Sequence, residues 1–401
     1  MIPFSPPKVD QRVIDEVIDA LNSGWITTGP KTKILESKVA DYVNSPAVLC
    51  VNSCTSGLFL MLKWFGIQEG DEVIVPAYTY AASANIILHC GAKPVMVDVK
   101  EDFTIDPNEV AQRISSKTKA IIAVDLGGLP CDYDALINIV CSDKYVKYFE
   151  PNNENQAKLA RPLIITDAAH SIGATFANKK VGSITDVAVF SFHAVKNLTT
   201  AEGGAICLNL PKCFDNKSIY NTLRIKSLHG QTKDALAKTK AGAWEYDILE
   251  PGFKYNMPDV LAAIGLAEID RYEETLKKRK AIYDAYSSLF KNYSWALTPI
   301  YEDDKRQSSY HLYLLRIKGF SEKQRNLLIE NMAERGMATN VHYKPLPLLS
   351  LYKSMGYKIE DYPRSYSLYK NEISLPVYFN LSLENVQELG QALIEEVESL
   401  L

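Results

Sequence analysis

The 401-residue chain predicts an α/β fold: a mostly parallel sheet flanked by helices, followed by a smaller C-terminal α/β domain. Two observations carry this expectation. Between about residues 47 and 210, short β-branched runs alternate with helical patterns. Those runs are almost continuously apolar, as expected of strands covered on both faces. The alternation then resumes on a smaller scale beyond a long helical stretch. A soft boundary at 280 divides the chain into a large domain, 1–280, and a small one, 281–401.

Taken in order, VIDEVIDALNSG (13–24) is an amphipathic segment that reads as a helix stopped at Gly24. WITTGP (25–30) is turn-rich. The strand candidates of the large domain are AVLCV (47–51), EVIVP (72–76), PVMVDV (94–99), AIIAVD (120–125), LIITD (163–167), VAVFSF (187–192) and GAICLN (204–209). One polar stretch, 142–161, interrupts this rhythm. Its Pro-Asn-Asn-Glu-Asn sequence predicts an extended, exposed insertion ahead of strand 163–167. From about residue 259 a helical pattern leads out of the large domain. Strands at 310–317 and 338–343, with helices at 321–335 and 383–400, make up the smaller unit. No internal repeat or low-complexity tract is present.

Composition narrows the function classes. With 47% hydrophobic and 23% charged residues, the chain is globular rather than disordered. A net charge of -4 provides no footprint for nucleic acid or for an anionic membrane, so an anionic substrate must be caught by local groups. The seven cysteines are scattered without a Cys-x-x-Cys pair, which fits reduced thiols and gives zinc or redox chemistry little support. The opening MIPFSPPKVD lacks the pattern of a secretory leader, and no apolar run reaches the ~20 residues that span a bilayer. A cytoplasmic protein is expected.

The chemistry concentrates in LIITDAAHSIGA (163–174) and VAVFSFHAVKNLTTAEGGAI (187–206). One apolar strand ends in Asp167, another in Ser191, and Lys196 follows in a loop rich in Thr and Gly. Open α/β sheets bind ligands beyond the carboxyl ends of their strands, which is where both Asp167 and Lys196 fall. Such a pair suits pyridoxal phosphate. A partly desolvated lysine amine can condense with the aldehyde, and an aspartate facing the pyridine nitrogen keeps it protonated, so that the ring withdraws electrons. Taken singly, a strand-end Asp is often a helix cap and a lysine is usually solvated. It is the two contexts together that point to one cofactor.

Further elements fit the same ligand. In VNSCTSGLFLML (51–62) a strand runs through Asn-Ser-Cys-Thr-Ser-Gly into a helix, a ready site for a phosphate, to which Ser191 adds a hydroxyl. PAYTYAASAN (76–85) offers Tyr78 and Tyr80 at the same sheet end, and an aromatic ring there can stack on the pyridine face. His170, three residues after Asp167, is placed to hydrogen-bond the ring hydroxyl or the aspartate.

These residues resemble the DegT/DnrJ/EryC1/StrS aminotransferases, a nucleotide-sugar branch of the fold-type I pyridoxal-phosphate enzymes. The resemblance runs through GWITTGP (24–30), NSCTSGL (52–58), VPAYTYAASAN (75–85), DAAHSIGA (167–174), SFHAVKNLTTAEGGA (191–205), GFKYNMPDVLAAIGLAEI (252–269) and NVHYKPL (340–346). It implies Lys196 as the catalytic, cofactor-bearing lysine and Asp167 as partner of the ring nitrogen. Cys54, Thr55, Ser56 and Ser191 would hold the phosphate, with Tyr80 stacked on the ring and His170 beside it. It also implies a homodimer with shared active sites, in which Asn256 reaches the phosphate in the neighbouring subunit. Substrate contacts are implied for Ile26, Thr27, Thr28 and Gly29 and for His342, Tyr343, Lys344 and Pro345.

By the same resemblance, the expected reaction moves an amino group from glutamate, leaving 2-oxoglutarate, to a nucleotide-linked keto sugar, with pyridoxamine phosphate as the intermediate cofactor form. C4 of a 4-keto-6-deoxyhexose is the expected acceptor, for polysaccharide biosynthesis. Alternatives are a 3-keto sugar or the chemistry of another fold-type I enzyme such as a lyase or desulfurase. Two features depart from the common pattern: Asp125, where many relatives have histidine, and the long insertion 142–161. Both are expected to reshape the rim of the site.

Overall fold

A computed structural model describes residues 1–232 and 245–401. The central sheet has seven strands: β1 (Ala47–Val51), β2 (Glu72–Pro76), β3 (Lys93–Val97), β4 (Thr118–Val124), β5 (Leu163–Asp167), β6 (Val187–Ser191) and β7 (Gly204–Leu208). Their lateral order is β1-β7-β6-β5-β4-β2-β3. Every pairing is parallel except the two made by β7, which runs against both β1 and β6.

The apolar runs alternate between two cores, one on each face of the sheet, as the two-residue strand period requires. Leu49, Val75, Ile122, Ile165, Val189 and Ile206 pack on one side with the helices α3 (Cys54–Trp64) and α4 (Ala82–His89), which follow α1 (Gln11–Asn22) and α2 (Pro30–Val43) along the chain. Cys50, Ile74, Ile121, Ile164, Ala188 and Ala205 pack on the other, where Leu35 and Val39 of Pro30–Val43 and Leu266 of Asp259–Ile269 cover them. Both faces are dry, so the strands carry little polar residue and read as solid apolar blocks.

The smaller unit has a third core around the antiparallel strands β8 (Ala296–Leu297), β9 (Tyr313–Ile317) and β10 (Glu372–Leu375). Helices Glu322–Glu334 and Leu383–Leu400 cover it. The helix Tyr272–Phe290 belongs to both units: Tyr272 sits in a large-domain core, whereas Ile282, Tyr286 and Phe290 sit in the small one. Position 280 falls inside this helix. Ile2, at the other end of the chain, also packs into the small core and bridges to Met337.

Three expectations need correction. The stretch 338–343 is not a strand. It makes one bridge, Asn340 to Ser374, after which His342 N donates to the Glu372 side chain instead of to a backbone ladder. The strand expected at 310–317 starts at Tyr313, because His311 N and Leu312 N are both engaged by Gly127 O. The insertion 142–161 is neither extended nor wholly exposed. It forms helices Asp143–Val146 and Glu154–Leu159, with Gln156 fully buried and Leu159 part of a large-domain core. Asn153 and Gln156 donate to Phe65 O and Asn155 to Trp64 O, tying up carbonyls at the C-terminus of α3.

All seven cysteines are free thiols. Among the described residues no helix is long and apolar enough to cross a membrane.

Candidate active site

Sheet register brings four chain segments to one edge. Asp167 ends β5 in line with Val189 of β6, two residues before Ser191. Ser191 and Val51 both pair with Gly204, so the ends of β6 and β1 and the start of β7 lie side by side. The first turn of α3 follows directly after β1. Glycine is required at 204, since a Cβ there would stand 2.6 Å from Cys54 N and 2.7 Å from Phe190 O. Above this edge lies a cavity of about 310 Å³, lined by Ser53, Cys54, Thr55, Tyr80, Asp167, His170, Ser191, Lys196 and Tyr343, among others.

Asp167 is almost fully buried at the cavity floor. Its Oδ2 accepts from Ser83 Oγ at 2.7 Å and its Oδ1 from Ala169 N at 3.2 Å, while the Cys54 thiol lies 3.7 Å from Oδ1. Burial pushes its carboxyl up, and Ser83, Ala169 and the positive charge of Lys196 pull it back. Lys196 mirrors this: desolvation lowers its ammonium to about 8, with Asp167 opposing the shift. An amine with that proton affinity is neutral in a sizeable minority of molecules near physiological pH, far more often than an ordinary lysine, and the neutral form is the nucleophile or base.

His170 is neutral, because burial and the nearby Lys196 charge both disfavour its imidazolium. Gly127 N donates to Nδ1 at 3.1 Å, which assigns the ring hydrogen to Nε2, 3.2 Å from Tyr343 Oη. The N-terminus of α3 also lines the cavity, with the backbone N–H groups of its first residues, Cys54 and Thr55, at the helix end. Ser53 caps the helix by accepting from Ser56 N at 3.1 Å, and its hydroxyl lies 2.8 Å from that of Ser56. Ser56 is thereby engaged outside the cavity wall. The Cys54 thiol turns toward Val189 O, leaving the exposed Thr55, the helix end and Ser191 to face an anion.

Of the two tyrosines left open by the sequence, Tyr80 is at the cavity and 62% exposed, its ring 5.6 Å from that of Tyr343. Tyr78 is fully buried and packs on Phe103.

Residues 7–151 and 153–394 match the profile of the DegT/DnrJ/EryC1/StrS aminotransferase family. The chain belongs to that family. The spore coat polysaccharide biosynthesis protein SpsC of Bacillus subtilis is 34% identical over 405 residues, covering 99% of this chain and 97% of its own. The UDP-4-amino-4,6-dideoxy-N-acetyl-β-L-altrosamine transaminase of Campylobacter jejuni is 31% identical over 404 residues, covering 100% and 98%. Among solved structures, the pyridoxamine-phosphate (PMP) form of the sugar aminotransferase Spr1654 from Streptococcus pneumoniae superposes with a TM-score of 0.96 at 46% identity, covering all of both chains. Its pyridoxal-phosphate (PLP) form matches with a TM-score of 0.95.

The cavity of this DegT/DnrJ/EryC1/StrS enzyme fits pyridoxal phosphate on its own donor set. Its lining combines a buried carboxylate that needs a cationic partner, an amine of lowered proton affinity, an anion-binding helix terminus and a flat aromatic side chain, Tyr80.

Several residues singled out by sequence do not line this cavity. Thr28 Oγ1 donates to Met257 O and accepts from Asn256 Nδ2, both at 2.6 Å. Asn256 Oδ1 is buried with no hydrogen-bond partner among the described residues. Thr27 O and Gly29 N are taken up by Asp259, and Ile26 is exposed. Beyond Tyr343, Lys344 is exposed and Pro345 buried, while His342 bonds to Ser374. Asp125 is not at the rim. It is fully buried, accepting from Tyr133 Oη, Ser171 Oγ and Cys131 N, and burial raises its carboxyl to about 6. The insertion also misses the rim, because it docks at the end of α3 away from the cavity.

Sequence reasoning missed Ser83, which holds Asp167, and His311, whose ring lies 4.3 Å from that of His170. It also missed Asp259. Its carboxylate accepts from Gly29 N, Lys31 N, Thr32 N and Thr32 Oγ1 at 2.6–3.0 Å, capping a helix more than 220 residues away in sequence. Asp259→Ala leaves these donors unpaired and is expected to destabilise the fold by about 3 kcal/mol. Urea unfolding checks this, and an unchanged midpoint would show that water replaces the carboxylate without loss.

Proposed function

We propose that this protein is a sugar aminotransferase that moves an amino group from glutamate to C4 of a nucleotide-linked 4-keto-6-deoxyhexose, serving polysaccharide biosynthesis in the cytoplasm. The observation that carries the reading is the convergence of Lys196 and Asp167 on one cavity beside the α3 N-terminus. The C4 position and the nucleotide are supported by the Campylobacter relative, whose name specifies a UDP-linked 4-amino-4,6-dideoxy sugar. The polysaccharide role is supported by the name of the Bacillus relative.

Once bound, pyridoxal phosphate supplies an electron sink for the carbon that bears the amino group. The paired PLP and PMP forms of the Streptococcus protein support a cofactor that alternates between the two. In this chain, Thr55, Ser191, Cys54 N–H and the other first-turn amides bind the phosphate. Asp167, held by Ser83, places negative charge opposite the ring nitrogen. Tyr80 covers a ring face, and His170 and Tyr343 act as neutral hydrogen-bonding groups at its edge. Lys196 would hold the cofactor at rest, and its Nζ, once freed, would take the proton from the carbon that bears the amino group and deliver it to the cofactor's aldehyde-derived carbon. Positioned transfer of this kind contributes roughly 10²–10⁴-fold.

The active unit in this reading is a homodimer. Its support is an exposed apolar strip, Ile14, Ile18 and Leu21 on helix Gln11–Asn22, continued by Ile26 and by Val195 next to Lys196. Asn256 and Ile26 to Gly29, which do not line their own cavity, then serve the partner's cavity.

The test is a panel of nucleotide-linked 4-keto and 3-keto sugars, with glutamate as donor, read by NMR of the product. Amination at C4 with release of 2-oxoglutarate is expected. Amination at C3 transfers the proposal to the other acceptor class, and sulfide release from cysteine without any amination overturns it.

A further inference from the structure

A second hydrogen-bonded chain stands beside the cavity and takes no part in the roles assigned above. Glu372 of β10 is fully buried. Its Oε1 accepts from Ser374 Oγ at 2.5 Å and its Oε2 from His342 N at 3.2 Å. The Ser374 hydroxyl in turn lies 2.9 Å from His342 Nδ1. The His342 ring is stacked on Phe4, with centroids 5.4 Å apart, and Nε2 is its remaining polar atom. The next residue, Tyr343, lines the cavity, and the charge of Lys196 reaches His342.

A serine hydroxyl has one hydrogen, so the three groups cannot choose their roles independently. With Glu372 ionised, Ser374 donates to it and accepts from His342 Nδ1–H, which leaves Nε2 a bare acceptor. A proton arriving at Nε2 releases the Nδ1 hydrogen to Ser374, and the serine hydrogen passes to Glu372. The result is a neutral carboxylic acid donating to Ser374, a serine donating to Nδ1, and hydrogen on Nε2. One proton has entered, and the negative charge of Glu372 has gone.

We propose that Glu372, Ser374 and His342 form a proton relay through which His342 accepts a proton at Nε2 without becoming an imidazolium. The relay stands on these contacts alone and does not depend on the function proposed above. Two features of the surroundings suit the role. Burial and the Lys196 charge depress the His342 imidazolium to about 3, so the ring cannot hold the charge itself. Burial raises the Glu372 carboxyl to about 8, against the opposing effects of Ser374, Arg325 and His342 N–H. Of the described groups facing this carboxyl, only the Arg325 guanidinium is cationic. It donates to the backbone carbonyls of Glu372 and Tyr369, and Tyr78 and Tyr343 are neutral phenols.

The relay is tested on full-length protein labelled with ¹⁵N-histidine, by following the His342 ring nitrogens from pH 6 to 10, with and without bound cofactor. The His342→Asn spectrum assigns the signals. The expected result is a change from the Nε2–H to the Nδ1–H tautomer with a midpoint near 8 and no imidazolium signal. Glu372→Gln and Ser374→Ala should each abolish the pH dependence. A single tautomer across the range, or an unchanged midpoint in either variant, overturns the proposal. Should Glu372→Gln fail to fold, Ser374→Ala decides. Because no substrate is involved, failure of the sugar panel leaves this outcome readable.

Discussion

Lys196→Ala is expected to fold normally, to lose covalent attachment of pyridoxal phosphate, and to lower turnover by at least ~10²–10⁴-fold. Lys196 lines the cavity, and burial of its amine has brought the proton affinity down to about 8. Folding therefore withdraws a cation from water, and the Asp167 carboxylate offsets part of that cost. Removing that cation costs no packing of consequence, and the melting temperature should be unchanged or slightly raised. Chemistry is lost for a separate reason: among the described residues no other lysine lines the cavity. Borohydride reduction of the loaded native protein, followed by peptide mapping, checks the assignment. A label on any lysine other than 196 would refute it.

Asp167→Asn should reduce kcat by about 10²–10³-fold, the usual loss when one fixed electrostatic group is removed from an active site, while the cofactor still attaches to Lys196. The amide keeps the shape of the carboxylate and can still accept from Ser83, so the loss isolates the charge. The sign of a second effect follows from the same geometry. Asp167 raises the Lys196 ammonium against the downward pull of desolvation. Without that negative charge the amine becomes neutral at a lower pH. The rate of cofactor attachment to apoprotein should then rise through a midpoint below the native value near 8. A midpoint that stays in place, or moves upward, would show that the two side chains do not interact across the cavity.

Lys196 and Asp167 were legible in the chain because strand ends are. An apolar block that stops at a polar residue marks the edge of a two-face-buried sheet, and parallel strands send such ends to the same side. The helix start proposed as the phosphate site was legible for a similar reason, since capping residues announce a helix start locally. Tyr78 and Tyr80 were not separable, as both lie in one turn and only the tertiary packing on Phe103 draws Tyr78 into the core. Asp125 was misread as a rim residue. Its partners, Tyr133 and Ser171, turn it inward, and one of them is 46 residues distant. Residues 310–312 and 338–343 have strand composition, but competing acceptors at Gly127 and Glu372 claim their N–H groups.

By itself, the sequence determined the layered α/β architecture, the order of its strands along the chain and the two residues on which the cofactor reading turns. All of these follow from periodicity and from local strand or helix boundaries. Only the tertiary structure decided which groups hold those residues in place. Ser83 meets Asp167 across 84 residues, Tyr343 meets His170 across 173, and Asp259 meets Gly29 across 230. Single hydrogen bonds over such separations depend on how whole elements pack, and packing places side chains together without imposing any repeat on the chain that a reader of the sequence can follow.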